Sequence, residues 1–326
     1  MATPYSHTRR LNAVKALAAL AIIITLILMP QVLKAELMQQ LQRFEGDSRV
    51  ETSVAISRSL IPYAQLRDRI VVATADDFAD AQAATPLAVR AGTAILITPG
   101  DFLHHMVKHE LQRVLRPGST VYLAGGQRAL SERVQESISE LGFNVVRLAG
   151  ETRVETAIAL AEQATHLGTV TDEQVSRVFV VSGHTFAPGL ITSSRAARDG
   201  GLMVIGDAGI AWAKTNYPST PITVVGDEWT HLNGIKTVPV EDVRTLVDRL
   251  PGERSQTMAL ASLNNFPDAL SGGVHAATTN RDLILVEETP TAELGTWLRS
   301  HYILDCIAVY GGQAALPDSA VWTLTQ

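Results

Sequence analysis

Two arginines stand in matching chemical settings in this 326-residue chain. Arg49 lies within Ser48-Arg-Val-Glu51 and Arg153 within Thr152-Arg-Val-Glu155. Both quartets fit a helix start in which a hydroxyl accepts from a backbone amide one turn on and the glutamate returns to the cap amide. Reciprocal capping accounts for Ser48, Glu51, Thr152 and Glu155 and leaves the arginines over. Each guanidinium is then free either to pair with a carboxylate of a neighbouring segment or to grip an acidic ligand group with two parallel hydrogen bonds.

Three further patterns carry chemistry. Gly125-Gly126 and Gly311-Gly312 each end an apolar run just before a helical stretch. Free amides there can receive an anion, or the glycines can serve a tight turn. Phe78-Ala-Asp80, Phe186-Ala-Pro188 and Phe266-Pro-Asp268 mark helix starts at the carboxyl ends of strands, the usual ligand crevice of open α/β sheets. There Asp80 and Asp268 favour the positive end of a helix dipole. Asp76, Asp77 and Asp80 could together face a hard cation, but Gly183, His184 and Pro188 in the second copy keep no carboxylate, so no metal is assigned. His105 and His109 share a helix face at a zinc-compatible spacing without completing a ligand set. No Ser-His-Asp motif, P-loop or GxGxxG fingerprint occurs, and no catalytic residue or cofactor is expected.

The elements that must position these residues are repeated. The stretch from Phe44 returns from Leu148 with Gly, Arg, Val, Glu and Thr in register, and self-similarity at fixed spacing indicates a duplicated folding unit. The Phe starts occur three times and the glycine-ended strand twice, with Val224-Val-Gly226-Asp227 as a reduced middle version. Short apolar runs such as 94–97, 178–181, 202–205, 222–225, 283–286 and 306–309 alternate with helical periods. That alternation predicts parallel α/β sheets with strands buried on both faces. The expected segments are 41–146, 147–236 and 237–326, with no Pro/Gly/Ser-rich linker between them.

The recurring Arg-x-x-Thr helix start, Phe-x-Asp start and Gly-Gly strand end, spread over three copies, together resemble the type 2 cell-wall-binding repeat family of Gram-positive surface proteins. The resemblance covers about residues 41 to 326. It implies three tandem Rossmann-like or Toprim-like units packed about a pseudo-threefold axis, attached to anionic wall polymer or a peptidoglycan-associated glycan. Two departures stand out: Pro188 replaces the aspartate in copy two, and copy three has no Gly-x-x-Arg-x-x-Thr start.

Residues 1–35 hold Arg9, Arg10, Lys15 and Lys34, no acid, and an apolar run at 16–29. This reads as a signal peptide or an uncleaved signal anchor, a transmembrane helix that would place the remainder outside the cytoplasm. Removing those four cations from the formal net charge of −6 leaves about −10, which argues against nucleic acid as a partner. Cys306, the single cysteine, is expected as a buried strand thiol beside Ile307, Ala308 and Val309. The reading that follows is a noncatalytic extracytoplasmic protein that binds cell-wall glycopolymer. Its rivals are a metal-dependent hydrolase at the Asp76–Asp80 corner and a scaffold for an envelope enzyme.

Overall fold

In the computed structural model, which describes residues 41–167, 174–229 and 232–326, the apolar runs form strands and the stretches between them form helices. The first segment runs β1 (Leu41–Phe44), α1 (Arg49–Leu60), β2 (Arg67–Thr74), α2 (Ala79–Ala83), α3 (Thr85–Arg90), β3 (Ile95–Thr98), α4 (His105–Val114), β4 (Leu115–Ala124) and α5 (Glu132–Ser139). The second runs β5 (Asn144–Leu148), α6 (Arg153–His166), β6 (Val178–Val181), α7 (Phe186–Arg198), β7 (Leu202–Ile205), α8 (Gly206–Asn216) and β8 (Ile222–Val225). The third runs β9 (Lys236–Val238), α9 (Val243–Arg249), β10 (Met258–Ser262), α10 (Pro267–Thr278), β11 (Asp282–Val286), α11 (Ala292–His301), β12 (Ile307–Tyr310) and α12 (Asp318–Thr325).

These strands make three four-stranded parallel sheets of one topology, ordered β3-β2-β4-β5, β7-β6-β8-β9 and β11-β10-β12-β1. Central strands such as Val178–Val181 and Ile307–Tyr310 are buried along their whole length, which is why they read as unbroken apolar runs rather than as alternation. The fourth strand of each sheet opens the next segment. β5 completes the first sheet, β9 the second, and β1, from the beginning of the chain, completes the third. One hydrogen bond repeats at all three seams: Gly125 N to Leu148 O at 3.0 Å, Gly226 N to Val238 O at 3.1 Å and Gly311 N to Phe44 O at 2.9 Å.

The helices that follow the three phenylalanines meet at a hub, where α3, α7 and α10 pack on one another. Small residues permit the approach. A Cβ on Gly189 would lie 2.2 Å from Gln82 Oε1 across two segments, while one on Gly272 would lie 2.3 Å from Tyr310 Cδ2, where α10 rests on its own sheet. Ser194 Oγ donates to Gly273 O at 3.0 Å across two segments. Half-buried Phe78, Phe186 and Phe266 close one end of the hub, with pairwise ring centroids 5.8 to 6.0 Å apart. Edge-on and tilted aromatic pairs of this kind add to simple area burial.

Polar contacts join the segments farther out. Asp282 Oδ1 accepts from Arg195 Nη2 at 2.8 Å and Arg198 Nη1 at 2.5 Å, while its Oδ2 accepts from Ser255 N and the Tyr302 hydroxyl, each at 3.1 Å. Arg90 Nη2 donates to Gly200 O at 2.7 Å, and Ser59 Oγ lies 3.3 Å from His275 Nε2.

Cys306 departs from its expected burial. It lies just before β12, is exposed, and its sulfur accepts from Arg281 Nη2 at 3.3 Å. The apolar run gains full burial only from Ile307 onward. The signal segment at 1–35 lies outside the described residues. Among those residues no helix is long and apolar enough to cross a membrane.

Candidate functional site

The singled-out residues gather where the carboxyl ends of strands in one segment face the helix start of the next. At the first boundary β2 and β4 end beside the start of α6. They border a cleft of about 760 Å³ whose lining includes Asp77, Asp80, Gly126, Gln127, Arg153 and Thr156.

Local chemistry fixes the helix starts. Ser48 Oγ accepts from Val50 N at 3.2 Å, and Thr152 closes a capping box in which its own N–H donates to Glu155 Oε2 at 2.7 Å. In α9, Asp242 Oδ1 accepts from Thr245 N at 2.7 Å and Val243 takes the position that Arg49 and Arg153 occupy. A cap is thus present in the third segment without the arginine. The aspartate before the helix was its signal in the sequence.

Each arginine has one structural bond and an exposed remainder. Arg49 Nη1 donates to Ala75 O at 2.9 Å and Arg153 Nη1 to Gly183 O at 2.8 Å. Both acceptors lie three residues before a hub phenylalanine, so the guanidinium ties the helix start to the loop leaving the central strand. Arg153 also places Nη2 3.6 Å from Asp77 Oδ2 and its Cζ 5.9 Å from the Phe78 ring centroid.

The glycine pairs divide their work. Gly125, Gly226 and Gly311 have φ of +122°, +149° and +104°, the left-handed region that favours glycine. A Cβ on Gly125 would stand 2.6 Å from Asp80 Oδ2, and one on Gly311 would stand 2.5 Å from Asp268 Oδ2. The second glycines are not crowded: nothing lies within 4 Å of a Cβ on Gly126, and the nearest atom to one on Gly312 is Glu45 Oε2 at 3.5 Å.

Asp80 and Asp268 therefore sit beneath equivalent glycines, each with Oδ1 lacking a hydrogen-bond partner. Burial, reinforced by Asp77 and opposed by Arg153, pushes the Asp80 carboxyl up to about 6. Burial likewise raises Asp268, opposed by a hydrogen bond with Thr52 and by the Arg49 charge.

Two residues at these corners escaped the sequence reading. Arg147 Nη1 donates to Gly125 O at 3.0 Å, and Arg43 Nη1 donates to Gly311 O at 2.6 Å. They occupy equivalent places one residue before Leu148 and Phe44. That register was the available signal. At the boundary between the second and third segments the corner is altered: Pro188 stands for the aspartate, Val243 for the arginine, and Asp227 follows Gly226.

The three acids near the first boundary face different partners. Asp76 Oδ2 accepts from Gly100 N at 3.1 Å and Asp77 Oδ1 accepts from Ala79 N at 3.0 Å, while Asp80 lies beneath Gly125. Among the described residues no group of three or more His, Cys, Asp or Glu could hold a metal ion. His105 begins α4 and His109 lies one turn on, both exposed.

Comparison with known proteins identifies the family and the fold. The family described as "Cell wall binding domain 2 (CWB2)" matches residues 43–135 and 244–321, which fall in the first and third segments. The N-acetylmuramoyl-L-alanine amidase LytC of Bacillus subtilis (strain 168) is 23% identical over 265 residues, 75% of this chain and 50% of its own length. Cwp8 from Clostridium difficile superposes with a TM-score of 0.76 at 21% identity, covering 87% of this chain and 51% of that one. Cwp6 from the same organism gives a TM-score of 0.74 at 20% identity, covering 88% and 48%. The chain thus spans about half the length of these relatives, and the structural likeness establishes the fold.

Proposed function

The chain belongs to the cell wall binding domain 2 family, and from that premise we propose that it is a noncatalytic protein whose repeats bind cell-wall glycopolymer at the boundaries between segments. The observation that carries the reading is the first boundary cleft, where the exposed side of Arg153, the uncrowded Gly126 and the start of α6 border one open volume. A guanidinium beside accessible polar groups suits an acidic or hydroxyl-rich sugar unit. Residues 41–146, 147–236 and 237–326 act as the three repeats, and residues 1–35 export the chain and hold it at the outer face of the membrane or in the wall.

The amidase activity in the name of the Bacillus relative is not carried over, because this chain spans half of that protein. Of the three carboxylates at that corner, Asp76 accepts from Gly100 N and Asp77 from Ala79 N with Arg153 beside it, while Asp80 lies beneath Gly125. Sedimentation with purified walls, before and after stripping of anionic polymers, tests the proposal. Saturable co-sedimentation that falls on stripping is expected, and a chain that stays in the supernatant with intact walls would refute it.

A further inference from the structure

Two of the three boundaries keep the same corner. The first has Asp80 beneath Gly125 with Arg153 beside it, and the boundary between the third and first segments has Asp268 beneath Gly311 with Arg49 beside it. The remaining boundary has Pro188 and Val243 in those places. Such a substitution pattern removes the acid and the base together, as expected if they serve one ligand.

The lining of the first cleft is richer in acid than in base. Asp76, Asp77, Asp80 and Glu151 border the first cleft, against Arg128 and Arg153. At the other corner Glu45 Oε2 comes within 3.5 Å of a Cβ on Gly312 and Asp268 lies beneath Gly311, with Arg49 and Arg43 as the bases. Asp268 is only 8% exposed and its Oδ1 has no partner, as Asp80 Oδ1 has none. A buried carboxylate oxygen left without a donor is costly, and a cationic donor relieves that cost most. A polymer carrying only negative charge would meet repulsion at the first cleft, whereas a unit with an amine beside its acid or hydroxyl groups matches both Asp and Arg at either corner.

We infer that the corners at Asp80 and Asp268 are equivalent subsites for an ammonium-bearing sugar unit of the wall glycopolymer, and that the boundary at Pro188 takes none. This rests on the polymer-binding reading above. Asp80 lines the open first cleft beside Gly126, the uncrowded second glycine.

Titration calorimetry of the full chain with a glucosamine tetrasaccharide, and with its N-acetylated counterpart, tests the inference at near-neutral pH. The amine form should bind at two sites per chain, at least about tenfold more tightly than the acetylated form. Asp80→Asn and Asp268→Asn should each remove one site, with thermal melts reporting that the variants fold. The comparison of the two sugars on the unaltered chain needs no variant and stands if either substitution unfolds the protein. Equal binding of both sugars, three equal sites, or unchanged stoichiometry in both folded variants would overturn the inference. Wall sedimentation run in parallel separates the two failures. Retained sedimentation without amine preference overturns this inference alone, and lost sedimentation from unaltered walls overturns the polymer-binding reading with it.

Discussion

His275 Nδ1 lies 2.9 Å from the Tyr310 hydroxyl, inside the third segment where His275 is 2% exposed and Tyr310 fully buried. Burial, followed by the Arg281 charge, holds the imidazole down to about 4 from its ordinary 6.5. Between those two values the unfolded chain takes up a proton that the folded chain refuses, so this group's contribution to stability is lost as pH falls through the window. The stability difference between wild type and His275→Gln should shrink by about 3 kcal/mol from the upper to the lower end of it. Denaturant titrations at stepped pH check this, and a constant difference would contradict it.

Asp80 acts in the opposite sense. Its folded carboxyl is raised to about 6 from 3.8, so the folded chain binds the proton first and stability falls as pH rises between those values. Asp80→Asn should therefore stabilise the protein at neutral pH relative to its effect near the lower value. A variant whose relative stability does not rise with pH across that window would show that the carboxyl is not confined as described.

Gly125→Ala should cost about 1–3 kcal/mol, because the new Cβ meets Asp80 and the backbone is in the left-handed region. Gly126→Ala should change stability by no more than about 0.5 kcal/mol, since its Cβ would enter open space. Equilibrium unfolding of the two variants side by side separates turn from cleft floor.

Arg153→Gln should cost about 1 kcal/mol, the loss of the bond to Gly183 O, and should weaken wall binding by more than that loss of fold explains. Binding to walls should also weaken as salt rises, through screening of the exposed guanidinium. Binding that is indifferent to both changes would place the ligand elsewhere.

Asp282→Ala should be the most damaging single change among these, at about 3–5 kcal/mol, because it strands two buried arginines. Calorimetric unfolding measures it, and a loss below about 1 kcal/mol would mean that the arginines find other partners.

The sheets were legible because strands such as Val178–Val181 are covered on both faces and so are apolar throughout. The helix starts at Arg49 and Arg153 were legible because capping is local. What stayed hidden depends on distant residues. Leu41–Phe44 contains Gln42 and Arg43 and joins β12 from the far end of the chain, which no local pattern encodes. The fit of Asp80 under Gly125 and of Asp268 under Gly311 is likewise a tertiary contact, invisible in motifs read singly. Cys306 was misread because its apolar neighbours lie on one side only, and the strand begins one residue later.

A line of repeats can be lengthened or shortened by one copy at a time, but a closed cycle of loans cannot. Each segment lends its opening strand to the sheet before it, and β1 returns the last loan to β12. Copy number is therefore tied to closure. A chain cut after the second segment would leave β8 without its neighbour and β1 without a host, two unpaired edges that recruit another chain. Such a truncation should run as a dimer or larger species in size-exclusion chromatography, whereas moving the chain's start to residue 45 and grafting 41–44 after α12 asks the protein to make the same sheets from a single reordered strand.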